Sequence, residues 1–129
     1  MSVTITPLYA AMIAILMVVL SVRAGLLRGK YGVALGDGGE RELALGIRRF
    51  GNLSEYAAMA LVVMLLLELS GTGAVWLHAY GIALIAFRLL HPIVLFDNEG
   101  ATRMKKIGRA VAAGGTAILL FAGAVALIL

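Results

Sequence analysis

Arg48, Asn52 and Glu55 follow one another at intervals of four and three residues. On a helix that spacing stacks them on one face, and Tyr56 stands beside them. Arg48 and Glu55 bring opposite charges, and the Asn52 carboxamide between them both donates and accepts hydrogen bonds. A second group, Arg88 and His91, lies one helical turn apart. Such a constellation does one of two things. It ties helices together as an internal polar network, or it holds a polar ligand. Neither a thiolate nor a histidine metal site is available. The chain has no cysteine, and its two histidines, His78 and His91, fall on opposite halves of one element.

The composition says what must position these residues. Of 129 residues, 62% are hydrophobic and only 14% charged. A soluble domain is about 45–50% apolar and about 25% charged. A chain this short cannot hide the excess in a water-soluble core, so the sequence predicts an all-α integral membrane protein. Four apolar stretches, at about 3–27, 50–69, 74–96 and 110–129, are each long enough to cross about 30 Å of hydrocarbon as a helix. They fill the chain as one membrane domain. No Lys or Arg precedes Arg23, so the first stretch reads as an uncleaved span. Arg48, Asn52 and Glu55 open the second span, and Arg88 and His91 come late in the third. Charges within a span cost about 2.5–3.5 kcal/mol at its centre and face a bundle interior or a cavity.

The connections carry the remaining polarity. Residues 28–39 hold five glycines and read as a flexible loop. It contains neither GxGxxG nor GxxxxGK[ST] and follows no strand, so it is no phosphate cradle. Ser70–Gly73 is a tight turn. All eleven Lys and Arg lie near the ends joined by the first and third connections, as do six of the seven acids. The positive-inside rule puts those connections in the cytoplasm and both termini on the other side. Basic residues here anchor loops, which replaces the nucleic-acid partner that a net charge of +4 would otherwise suggest. Glu68 marks the outer interface or pairs within the bundle. His78 sits there with Trp76 and Tyr80, as belt residues do. Ala110 and Gly114 stand at the spacing of a close helix contact, within one chain or between chains.

Arg48-Arg-Phe-Gly-Asn-Leu-Ser-Glu-Tyr56, Glu68-Leu-Ser-Gly71, Arg88-Leu-Leu-His91 and Gly36-Asp-Gly-Gly39 together resemble the MAPEG family, the membrane-associated proteins in eicosanoid and glutathione metabolism, in its bacterial branch. The likeness runs over nearly the whole chain. It implies a four-helix protomer assembled as a homotrimer in a bacterial inner membrane. Glutathione, as co-substrate, would lie between protomers in the cytoplasmic half. Arg23, Arg48, Asn52, Glu55, Tyr56, Arg88 and His91 would bind it. Two carboxylates and one ammonium on the tripeptide would meet arginines and Glu55.

The resemblance further implies a basic residue at the start of the fourth span that stabilises the thiolate, since a nearby cation lowers a thiol's pKa. Arg103 and Lys105 both fit. The chain departs from the family at Ala58, where a proline is usual, and Pro92 directly follows His91. The implied activity is a glutathione-dependent transferase or peroxidase acting on a lipophilic electrophile or lipid hydroperoxide. The alternative is a non-catalytic lipid-binding or scaffold protein of the same fold. A transporter would call for inverted repeats or broken helices, and neither is present.

Overall fold

The computed structural model describes residues 2–95 and 102–129. Among these, four helices and no strand occur: α1 (Thr6–Tyr31), α2 (Arg41–Leu69), α3 (Ala74–Val94) and α4 (Arg103–Ile128). Each is long and apolar enough to span a membrane. The four apolar stretches therefore do form four helices. Two helices, however, start well before their apolar stretch, α2 at Arg41 and α4 at Arg103. Hydropathy marks only what hydrocarbon covers. The charged segments ahead of it are rich in Arg, Lys, Glu and Leu, which are good helix formers, so the helix continues into the headgroup region. The expected end of the third span at Phe96, and the loop acids Asp97 and Glu99, lie outside the described residues.

α2 and α3 form the centre of the bundle: each packs on all three other helices, whereas α1 and α4 do not meet. Two buried clusters fill the bundle. One gathers Tyr9, Met64, Leu77 and Tyr80 near the end where α2 turns into α3. The other, with Ile13, Leu53, Ala57 and Leu84, fills the middle. Small residues let the helices close. A methyl added at Gly81 would sit 2.5 Å from the Tyr9 ring. At Gly114, by contrast, nothing lies within 4 Å, so the partner of that small-residue stripe is not a described part of this chain.

The helix ends are satisfied across elements. Ile5 precedes α1 and offers no side-chain cap. Instead Glu68, at the far end of α2, accepts the amides of Thr4, Ile5 and Thr6 at 2.7, 2.8 and 2.7 Å. These are among the orphan donors that any helix start must satisfy. Glu68 thus does more than mark an interface. Close by, Tyr9 Oη lies 2.9 Å from His78 Nδ1. At the opposite end, the segment expected to be a flexible loop is a series of hydrogen-bonded turns. Gly32 ends α1 in the left-handed region, at φ 66°. Arg28 then donates to the carbonyls of Val33, Ala34 and Gly36 at 3.4, 3.1 and 2.9 Å. Lys30 and Tyr31 both reach Glu42 Oε2 at 2.7 Å, which joins α1 to the start of α2.

Candidate functional site

The polar residues of α2 divide between two faces. Asn52 and Leu53 are buried, while Arg48, Glu55 and Tyr56 are exposed. Around the helix axis Arg48 and Glu55 lie within about 20° of each other, and Asn52 about 40° from Arg48, where it meets Arg88 of α3. One expected cluster is in consequence two.

The interior half is built around Arg88, which is 1% exposed. Its Nη1 donates to Asn52 Oδ1 at 2.9 Å and to the Asn52 carbonyl at 3.3 Å. Its Nη2 donates to the Ala112 carbonyl at 3.0 Å and to Thr116 Oγ1 at 2.5 Å. Thr116 in turn donates to the Ala112 carbonyl at 3.0 Å. A single guanidinium on α3 therefore bonds α2 and α4 at once. Its planar fork suits that task, as an ammonium would not. Among the described residues its Nε has no partner, and neither does Nδ1 of His91, one turn further along and also buried.

The exposed half is a surface of mixed charge. Arg48 Nη1 and Glu55 Oε1 pair at 3.3 Å, with more than half of each side chain accessible. The Tyr56 ring is 38% exposed, and its centroid lies 5.9 Å from the Arg88 guanidinium carbon, so the ring connects the two halves. Arg48, Gly51 and Glu55 form one wall of a cavity of about 340 Å³. Arg28, Gly36 and Asp37, from the end of α1 and the glycine-rich turns, form the other. Arg23 is exposed on α1, and Arg103 and Lys105 are exposed on the first turn of α4.

Three contributors had no signal in the sequence, or only a weak one. Thr116 is one hydroxyl in a run of small and apolar residues. Arg49 looks like an anchoring twin of Arg48, yet its Nη2 donates to the Leu95 carbonyl at 2.8 Å and ties α2 to the end of α3. Asp37 was legible only as part of the loop motif Gly36-Asp-Gly-Gly39, because its place in one cavity with Arg48 depends on how the turns fold back.

Comparison with known proteins agrees with this architecture. The model of the MAPEG family matches residues 6–129. Inner membrane protein YecN of Escherichia coli (strain K12) is 42% identical over 87 residues, covering 67% of this chain and 66% of that protein. The same protein in a second Escherichia coli strain matches with the same identity and coverage. The aligned part thus spans just under two thirds of the curated relatives. No solved structure matches the chain.

Proposed function

Because the chain belongs to the MAPEG family, we propose that it is a glutathione-dependent transferase or peroxidase of a bacterial inner membrane, acting on lipophilic electrophiles or lipid hydroperoxides. The observation that carries this reading is the accessible Arg48–Glu55 pair beside a cavity. An exposed pair contributes at most about 1 kcal/mol, so a ligand that offers both charges can replace it at little cost. Glutathione offers carboxylates for Arg48 and an ammonium for a carboxylate lining the same cavity. Tyr56 borders the same face, and Arg23 stands outward on α1 to reach the ligand of a neighbouring copy in a homotrimer.

Asn52 and Arg88 act from behind. Their hydrogen bonds to each other and to α4 hold the exposed face of α2 in register. His91 Nδ1, in the same half of the bundle, has no partner among the described residues. The thiolate would be stabilised by Arg103 or Lys105 at the start of α4, where the positive end of the helix dipole adds to a side-chain cation. The lipophilic substrate would arrive laterally through the bilayer. Purified protein should turn over glutathione with members of a panel of lipophilic electrophiles and hydroperoxides. A flat response across the panel would remove the catalytic reading.

A second reading is a non-catalytic lipid-binding or scaffold protein. It is favoured by one observation: the Nη1 and Nη2 groups of Arg88 are already bonded inside the chain. Thermal unfolding with added glutathione separates the two readings. Ligand at 100 times its dissociation constant adds about 2.7 kcal/mol, whereas a scaffold shows no shift at millimolar glutathione.

A further inference from the structure

The cavity beside α2 has a wall that the charged stripe does not account for. Gly36 and Asp37 of the glycine-rich turns face Arg48, Gly51 and Glu55 across about 340 Å³, with Arg28 between them. The wall is held in place. Arg28 gathers the carbonyls of residues 33, 34 and 36, and Asp37 Oδ1 accepts the Gly39 amide at 3.0 Å. Two cations and two carboxylates thus line one small space.

Their commitments differ. Glu55 is already paired with Arg48. Asp37 forms no ion pair among the described residues, and its recorded side-chain hydrogen bond comes from one backbone amide. An ammonium arriving at Glu55 must share that carboxylate with Arg48. One arriving at Asp37 displaces no cation. It leaves Arg48 and Arg28 as the positive groups to which the ligand's carboxylates can turn.

Building on the glutathione reading above, we propose that Asp37 is the specificity-determining carboxylate of this site, receiving the α-ammonium of the peptide's γ-glutamyl end. The glycine-rich turns are then a part of the binding site as well as a connection. The ligand class follows: peptides or amino acids with a free α-ammonium and at least one carboxylate, discriminated from their deaminated counterparts.

The test uses the full chain in lipid nanodiscs. Binding is measured by calorimetry for glutathione and for an analogue whose γ-glutamyl amino group is replaced by hydrogen. Wild type should prefer glutathione by about tenfold or more, the size of one charge-assisted hydrogen bond. Asp37→Asn keeps the acceptor for the Gly39 amide, so the turn survives, but removes the charge. It should weaken glutathione by about the same factor, leave the analogue unchanged and erase the preference. Glu55→Gln should retain the preference. If Asp37→Asn keeps the preference, or weakens both ligands alike, or if Glu55→Gln alone erases it, the assignment to Asp37 is overturned while the glutathione reading stands. A wild type that binds neither compound overturns both.

Discussion

Arg88 and Arg48 are the same residue type, and they should respond oppositely to mutation. The Arg88 guanidinium is enclosed and depends on protein acceptors, so removing one leaves a buried charge short of a partner. Asn52→Ala takes away the 2.9 Å acceptor. It should lower stability by about 1.5–3 kcal/mol in chemical or thermal denaturation of the detergent-solubilised protein. Arg48→Ala touches only an exposed pair and should stay within about 0.5 kcal/mol of wild type while abolishing glutathione binding. A large loss of stability in Arg48→Ala, with none in Asn52→Ala, would reverse the two roles. The spacing of these residues was legible before the fold was known, because helical periodicity alone puts Arg48, Asn52 and Glu55 on one stripe. Their division into an inside and an outside was not. It depends on the exact orientation of α2, which is set by packing against α3 and α4.

At the level of elements, the helices lean on one another for what they lack. α1 has no cap of its own and takes one from Glu68. Glu68→Ala should cost about 0.5–2 kcal/mol, the usual range for a lost cap, and should speed hydrogen exchange at the amides of Thr4, Ile5 and Thr6 above all others. Unchanged exchange at those three amides would show that water caps α1 equally well. The glycines separate in the same way. Gly81→Ala drives a methyl into the buried Tyr9 ring and should destabilise by about 1–3 kcal/mol. Gly114→Ala meets nothing within the chain and should stabilise α4 by up to about 1 kcal/mol. If Gly114→Ala instead breaks an oligomer seen by native mass spectrometry, the stripe is an interface between copies. The apolar runs announced four helices, but the ends of α2 and α4 escaped them because charged residues such as Glu42 and Arg103 continue a helix while lowering hydropathy. The role of Glu68 escaped too, since its partners lie more than sixty residues earlier in the chain.

On the scale of the whole molecule, the distribution of basic residues makes a statement about orientation that chemistry can check. The chain has no cysteine, so a single introduced thiol reports without background. Thr102→Cys should react with a membrane-impermeant maleimide only in inside-out vesicles, and Thr72→Cys only in right-side-out ones. The opposite pattern would invert the topology and place the proposed site outside the cell. The enclosed guanidinium of Arg88 also has a history during synthesis. Its partners on α2 are made before it and those on α4 after it. When α3 first enters the translocon, half of the Arg88 hydrogen-bonding capacity has nothing to meet, at a penalty of at most about 2.5–3.5 kcal/mol, the figure for an arginine at the centre of a span. The third helix is therefore a reluctant solitary inserter, and the last two helices should leave the translocon together as a hairpin. A released chain that ends before α4 would hold α3 only loosely in the bilayer, and the presence of α4 is what commits it.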